Sequence, residues 1–216
     1  MTTILLYKSE DHDDYRQLNI DLLNNINSDD ISLYNIKEID RETSKYIKNK
    51  LIVKNLVLEG DYSEKELNLD ILDDIIDTEY LEKLTLVEIE EFNYKHIKFN
   101  NLKSLDVFND ETYMFSMFDA LYLAYNCCKN LTYLEFSRTD EQHSLEEICE
   151  VLESFDKKIF VYLWYLDYSY LKEKDEDFVK NKQGTKICNH TRIELNTDKD
   201  DILNVYINEH CYRHGP

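Results

Sequence analysis

Side chains that could ligate a metal ion gather near the C-terminus of the chain. They are of the two types that zinc prefers, namely Cys188, His190, His210, Cys211 and His214. If the apolar runs 187–195 and 202–211 pair around a turn near residue 199, Cys188 lies opposite His210. Residues 188, 190 and 210 then share one face, with His214 within reach. The spacing matches no zinc signature, so we predict no metal site and no cofactor.

The other groups of reactive side chains have structural explanations. Cys127-Cys128 ends a helical pattern; neighbouring cysteines rarely form a good disulfide, and a helix C-terminus does not activate a thiol. Ser144-Leu-Glu-Glu147 has the form of a helix-capping box. It explains the acidic residues that follow it as the solvated face of a helix. No catalytic triad, zinc-protease or phosphate-loop motif occurs, so the sequence predicts no enzymatic activity.

One apolar motif recurs along the chain. Its copies indicate which secondary-structure elements position the side chains of the protein. The motif is six residues long and has apolar residues at its first, fourth and sixth positions. Copies occupy 53–58, 81–86, 102–107, 131–136 and, more loosely, 160–165. Their central residues, which are 28, 21, 29 and 29 residues apart, are Leu56, Leu84, Leu105, Leu134 and Leu163. A repeat of 20 to 30 residues is typical of a stacked architecture.

Each copy predicts a β-strand, and we expect these strands to be neighbours, in chain order, in one parallel sheet. The predicted ranges are 53–58, 81–87, 102–108, 131–137 and 159–166. Further strands are predicted at 4–7 and 31–36, and a β-hairpin at 187–195 and 202–207.

Helices are predicted between most of these strands, on one side of the sheet. Apolar stripes predict inward faces for two of them, formed by Tyr15, Leu18, Leu22 and Ile26, and by Met114, Phe118, Leu121 and Tyr125. Further helices are expected at 40–50, 64–77 and 169–181. The stretch 88–101 has no helical stripe, so we expect an extended or 3₁₀ return there.

This pattern resembles the leucine-rich-repeat family, nearest its ribonuclease-inhibitor-like class with helical outer faces. The resemblance covers about residues 50–166 and implies an α/β solenoid with a parallel sheet on one face, helices on the other and a C-terminal β-hairpin. It implies one domain over 1–216, with an N-terminal capping region (1–50), core repeats (51–166) and a C-terminal cap (167–216). The family has Asn or Cys three residues after the last core position, whereas this chain has Asp61, Ile89, Asp110, Thr139 and Tyr168. The repeats are therefore degenerate.

The charge balance bears on the partners and the location of the protein. The chain has 45 acidic and 25 basic residues, a net charge of −20. Such a charge argues against nucleic acid and an anionic membrane surface as partners; it favours solubility and attracts a basic protein surface. Five cysteines without regular spacing, no signal-peptide pattern and no long apolar run indicate a cytoplasmic protein. The scarcity of Gly and Pro beside abundant Ile, Asn, Lys, Asp and Tyr resembles proteins of AT-rich large DNA viruses such as poxviruses.

Side-chain alternation along the strands predicts a binding surface. The residues between the apolar motif positions point away from the core and bring aromatic side chains to one end of the sheet. The predicted protein-binding residues are Phe108, Tyr133, Glu135, Tyr162, Trp164 and Leu166. Exposed aromatic patches mark interfaces; the alternative is that a loop or the C-terminal segment covers these rings as core.

We therefore interpret the chain as a non-catalytic intracellular protein–protein interaction module, for example a viral factor that binds a host protein. One alternative is a structural or regulatory subunit of a viral complex. Another is an enzyme on a non-solenoid α/β fold, which a convergent pocket of His, Cys and carboxylate side chains would favour. A continuous sheet with an open face would favour the interaction module.

Overall fold

The computed structural model describes residues 1–6, 13–36, 39, 41–60, 67–89, 92–108, 117–137, 144–154, 159–165, 191–196 and 202–207. The strands are β1 (Thr2–Leu5), β2 (Asp30–Tyr34), β3 (Asn55–Glu59), β4 (Leu67–Asn68), β5 (Lys83–Val87), β6 (Phe92–Asn93), β7 (Ser104–Phe108), β8 (Tyr133–Ser137), β9 (Phe160–Tyr165), β10 (Thr191–Asn196) and β11 (Ile202–Ile207). The helices are α1 (Asp13–Asn24), α2 (Arg41–Ser44), α3 (Ile71–Ile75), α4 (Met117–Cys127) and α5 (Leu145–Glu153). Among these helices, none has both the length and the apolar character needed to cross a membrane.

Nine of the strands form one sheet in the order β1-β2-β3-β5-β7-β8-β9-β11-β10. The first seven are parallel neighbours in chain order. The predicted α/β class and the predicted order of the five motif strands are therefore confirmed. Strand β11 joins β9 in parallel, and β10 pairs antiparallel with β11 at the edge. Residues 197–201 between them, and the predicted helix 169–181, lie outside the described residues.

The first four motif strands start in the same way, two residues later than the motif itself. The carbonyl oxygen of Lys54 accepts hydrogen bonds from the amides of Glu82 (2.8 Å) and Lys83 (2.9 Å). The carbonyls that accept such a pair of amides from the following strand are those of Asp29, Lys54, Glu82 and Lys103. The first motif residue is buried just before each strand, as Val53, Leu81, Leu102 and Leu131. This shared geometry keeps the repeats stacked at their N-terminal ends.

The predicted alignment of the last motif copy is wrong by two residues. Leu134 pairs with Val161 rather than with Leu163, which lies opposite Phe136. Because side chains alternate with a period of two, a shift of two residues leaves Tyr162 and Leu163 on their predicted faces.

The hydrophobic core lies on one side of the sheet. Two rows of side chains point into it, one made of Ile31, Leu56, Leu84, Leu105, Leu134 and Val161, the other of Leu33, Leu58, Leu86, Val107, Phe136 and Leu163. Each of these side chains is at most 1% exposed. The facing layer is built by the helices and loops on that side, and the predicted capping box of Ser144 and Glu147 begins α5.

The predicted inward face of α1 is wrong. Leu18 and Leu22 are 44% and 40% exposed, whereas Asn19, Ile20 and Leu23 are buried. Both sets have helical spacing, and the packing of the helix on the sheet decides between them.

The predicted inward face of α4 is also only partly correct. Leu121 is buried, but Tyr125 is 50% exposed and Phe118 is half-buried. The buried face includes Ala120 and Ala124. The ring of Tyr125 therefore lies on the exposed side of the helix, opposite these small side chains.

The outer layer between β3 and β7 differs from the prediction. The expected helix over 64–77 is replaced by β4 and the five-residue α3. The expected extended return over 88–101 contains β6, which pairs in parallel with β4. This part of the outer layer is therefore itself a short parallel ladder.

A buried carboxylate joins these two outer segments. Asp70, 8% exposed, accepts hydrogen bonds from the amides of Lys95 (3.0 Å), His96 (2.9 Å) and Ile97 (3.0 Å). Burial by itself would raise the pKa of Asp70, but these three amides stabilise the anion and hold its pKa below the ordinary value. The ionised side chain thereby fixes the loop after β6.

Gly60 is needed where β3 ends. Its amide donates to the carbonyl of Val87 (2.9 Å), and a Cβ here would lie 2.2 Å from the carbonyl oxygen of Glu88. Because the clashing atom belongs to the backbone, Gly60→Ala should lower the free energy of unfolding by about 1–3 kcal/mol in urea titrations. Ile52→Ala, at a side chain that is 59% exposed, should change it by less than about 0.5 kcal/mol. Equal stability of Gly60→Ala and the native protein would contradict this close contact.

Candidate binding surface on the open face of the sheet

Three rows of side chains cross the face of the sheet opposite the core, which we call the open face. The first row comprises Asp30, Asn55, Lys83, Ser104, Tyr133 and Phe160. The central row comprises Ser32, Val57, Thr85, Asp106, Glu135 and Tyr162. The third row includes Tyr34, Glu59, Val87 and Phe108. Alternation predicted these positions for β3, β5, β7 and β8, and it predicted Tyr162 on β9.

A buried carboxylate lies at the middle of the open face. Asp106 is 3% exposed, accepts a hydrogen bond from the Ser104 hydroxyl (2.9 Å), and pairs with the Lys83 ammonium group (2.5 Å). A buried charge is tolerated when it is paired and hydrogen-bonded. Asp106 is therefore a satisfied part of the surface. Glu135, its neighbour on β8, is a partly exposed carboxylate that a ligand can reach.

Glu135 is held by a pair of tyrosines. The Tyr133 hydroxyl donates to Oε2 of Glu135 at 2.7 Å. The ring of Tyr162, directly opposite Glu135 in the register, lies 4.9 Å from the Tyr133 ring with 32° between their planes. Burial, then the hydrogen bond to Glu135 and its charge, raise the pKa of Tyr133 well above its ordinary value. The phenol therefore stays protonated and continues to orient the carboxylate.

The second oxygen of Glu135 is open in the part of the chain that the structure describes. The Glu135 side chain is only partly buried. Within the described residues its hydrogen bond with Tyr133 uses Oε2, and Oε1 has no partner. An oriented carboxylate with one open oxygen beside an aromatic pair can accept an ammonium or guanidinium group from another molecule.

The open face as a whole is acidic in the part of the chain that the structure describes. On strands β2 to β9 its carboxylates are Asp30, Glu59, Asp106 and Glu135, and its cationic side chain is Lys83. Tyr34 donates to Glu59, and this bond, more than burial, raises the tyrosine pKa. The polar groups of this face thus orient carboxylates rather than neutralise most of them.

The structure brings together only some of the predicted binding residues. Tyr133, Glu135 and Tyr162 form one contiguous cluster, which we call the tyrosine–glutamate cluster. Phe108 is partly exposed in the third row, beside Val87. The backbone of Trp164 lies in β9 opposite Ser137; its side chain is not among those described.

Other predicted candidates lie outside the described residues. They are Leu166, Cys188, His190, His210, Cys211 and His214. Where the structure is described, no group of three or more His, Cys, Asp or Glu side chains is placed to hold a metal ion.

Sequence reasoning missed Phe160 as part of the surface. Its side chain is 49% exposed, and its backbone pairs with Tyr133 on the open face. As the first residue of the looser motif copy, Phe160 is predicted to be a core residue. The two-residue register shift instead places it opposite Tyr133, on the open face. The ion pair of Lys83 with Asp106 was also missed, because it joins neighbouring strands whose register only the fold provides.

The chain matches no protein-family model, no curated protein and no solved structure. The open face itself therefore carries the functional argument.

Proposed function

We propose that the protein is a non-catalytic protein–protein interaction module that binds a basic protein segment on its open face. The observation that carries this proposal is the tyrosine–glutamate cluster, in which an oriented carboxylate lies beside two tilted rings that contact each other. One oxygen of this carboxylate has no partner among the described residues. Tyrosine is enriched at binding hot spots because its ring provides a large contact area with few rotatable bonds. A carboxylate beside such rings selects for a cationic side chain.

A degenerate leucine-rich-repeat-like solenoid is the architecture we propose for this module. Support comes from strands that follow one another in chain order, from the repeated paired hydrogen bonds at their starts, and from the return segments on one side. In this architecture β10 and β11 form a C-terminal hairpin that caps the sheet. Solenoids use an extended sheet face for binding, which agrees with the placement of the cluster.

The charge distribution supports a basic partner. The chain carries a net charge of −20, and strands β2 to β9 place four carboxylates and one lysine on the open face. Such a surface steers a basic partner toward it and accelerates association. We place the protein in the cytoplasm. If its resemblance in composition to viral proteins reflects a viral origin, this is the cytoplasm of a host cell. The buried thiol of Cys127, which is in no disulfide within the described residues, suits such a compartment.

The test is capture of partners from cell extract, followed by affinity measurements on the captured protein. Glu135→Gln keeps the acceptor for Tyr133 and removes the charge. We expect the partner to bind through a basic segment, and Glu135→Gln to weaken binding by about tenfold, the equivalent of one charge-assisted hydrogen bond. Higher salt should weaken binding of the native protein.

Glu150→Gln is the matched control, because Glu150 is an exposed carboxylate on α5, away from the open face. It should bind like the native protein. Equal affinity of Glu135→Gln and the native protein, or a captured partner that binds through an acidic segment, would refute the proposed site.

A further inference from the structure

Among the described strands, the sheet ends at β1, which pairs with β2 on one side only. The amide of Leu6 donates to the carbonyl of Tyr34 on β2 (3.2 Å). Backbone groups alternate in direction along a strand, so those of Thr3 and Leu5 point away from β2. No strand in the described ranges pairs with that side of β1. Two amides and two carbonyls are thus directed outward at this edge.

This edge lacks the features that protect most sheet edges from pairing. Proteins commonly place charged side chains or proline on edge strands. Strand β1 has the sequence Thr-Thr-Ile-Leu, without charge or proline, and Leu5 is 59% exposed. The opposite edge strand β10 contains Arg192 and Glu194. Of the two edges, β1 is therefore the one suited to strand pairing.

Helix α1 carries exposed apolar side chains at the same end of the molecule as β1. On one flank, Arg16 hydrogen-bonds to Thr43 of α2 (2.7 Å) and Asn24 to the carbonyl of Tyr46 (3.3 Å). Successive residues are about 100° apart around a helix, which places Leu18 and Leu22 on the other flank. Since α2 lies toward β3, that other flank faces outward past β1.

We propose that two copies of this chain join edge to edge through β1, antiparallel and related by a two-fold axis near Ile4. In this register Thr3 of one copy lies opposite Leu5 of the other. Because both residues direct their backbone groups outward, each such pair exchanges two hydrogen bonds. The edge is therefore self-complementary, as a two-fold interface requires, and the flanks of α1 that carry Leu18 and Leu22 approach each other across it.

The charge of the protein opposes this pairing and provides a diagnostic. Two copies of net charge −20 repel each other, and salt screens that repulsion. Pairing through backbone and apolar groups should therefore strengthen as salt increases. Salt should have the opposite effect on binding of a basic partner to the open face, which separates the two surfaces experimentally.

The experiment is sedimentation equilibrium of the full chain over a range of concentrations in 0.1 M and 0.5 M salt, values on either side of physiological ionic strength. We expect a reversible monomer–dimer equilibrium, with a monomer of 26.0 kDa, that shifts toward the dimer at the higher salt. Leu5→Lys and, separately, Leu18→Lys should raise the dissociation constant at least tenfold. Circular dichroism will establish that each variant remains folded, as expected for substitutions at exposed side chains.

Ile52→Lys is the matched control, because Ile52 is as exposed as Leu5 (both 59%) but lies away from β1. Each lysine changes the net charge equally, so a difference between the variants reports on position alone. The control should dimerise like the native protein. A native protein that stays monomeric at millimolar concentration in 0.5 M salt overturns the proposal. So does a dimer that tolerates Leu5→Lys, or one that Ile52→Lys disrupts equally.

Discussion

Leu134→Ala is expected to lower the free energy of unfolding by about 2–5 kcal/mol, because it leaves a cavity in the centre of the core. Leu134 is fully buried on β8, between Leu105 and Val161 of the neighbouring strands. Urea titrations followed by circular dichroism will measure the loss. Binding of a partner to the open face should be retained under conditions where the variant is folded.

Tyr162→Ala is the counterpart on the open face and should have the opposite profile. It removes the ring that contacts Tyr133, so stability should fall by only about 1 kcal/mol. Binding of a captured basic partner should weaken by roughly 2 kcal/mol or more, which is typical of truncating a hot-spot aromatic. The same expectation for Trp164→Ala, which rests on strand parity, stays a prediction.

The contrast between these two variants decides what the aromatic residues do. If Tyr162→Ala destabilises the protein as strongly as Leu134→Ala, the ring belongs to a covered core. If it changes neither stability nor binding, the partner binds elsewhere on the protein.

Asp70→Ala is expected to lower the free energy of unfolding by about 3 kcal/mol or more, because it leaves the amides of Lys95, His96 and Ile97 without their acceptor. The removed acceptor is also ionised, and hydrogen bonds to charged groups are the stronger ones. Asp73→Asn is the control on the adjacent helix α3. Asp73 is exposed and pairs with Lys50 at 3.5 Å, and such surface pairs contribute less than about 1 kcal/mol.

The stabilising effect of Asp70 should depend on pH. Its pKa is lower in the folded than in the unfolded protein, so its contribution is present above the unfolded value, about 3.9. That contribution is lost as the pH falls through the folded value. Asp70→Asn, which keeps one acceptor oxygen but no charge, should be less stable than the native protein at pH 7. The difference should disappear as the pH falls below about 4. A difference that is constant with pH would show that the charge contributes nothing.

The sequence by itself determined the order of the strands and the facing of their side chains. Apolar residues at a period of two, as in Leu134 and Phe136, can be buried on only one side of a sheet. Short connections between such strands favour neighbours in chain order. Both constraints act on residues close together in the chain, so alternation and connection length suffice to place Tyr133, Glu135 and Tyr162 on the open face.

Only the tertiary structure decided the register and the contacts between segments distant in the chain. The two-residue shift of β9 leaves the alternation pattern unchanged, so periodicity could not detect that Phe160 lies beside Tyr133. In α1 both candidate faces have helical spacing, and contact with α2 and the sheet selected Ile20 and Leu23 for burial. Asp70 and its amide donors are 25 to 27 residues apart. Their pairing depends on how two outer segments stack, because hydrogen bonds need ångström-level placement that residue types alone do not specify.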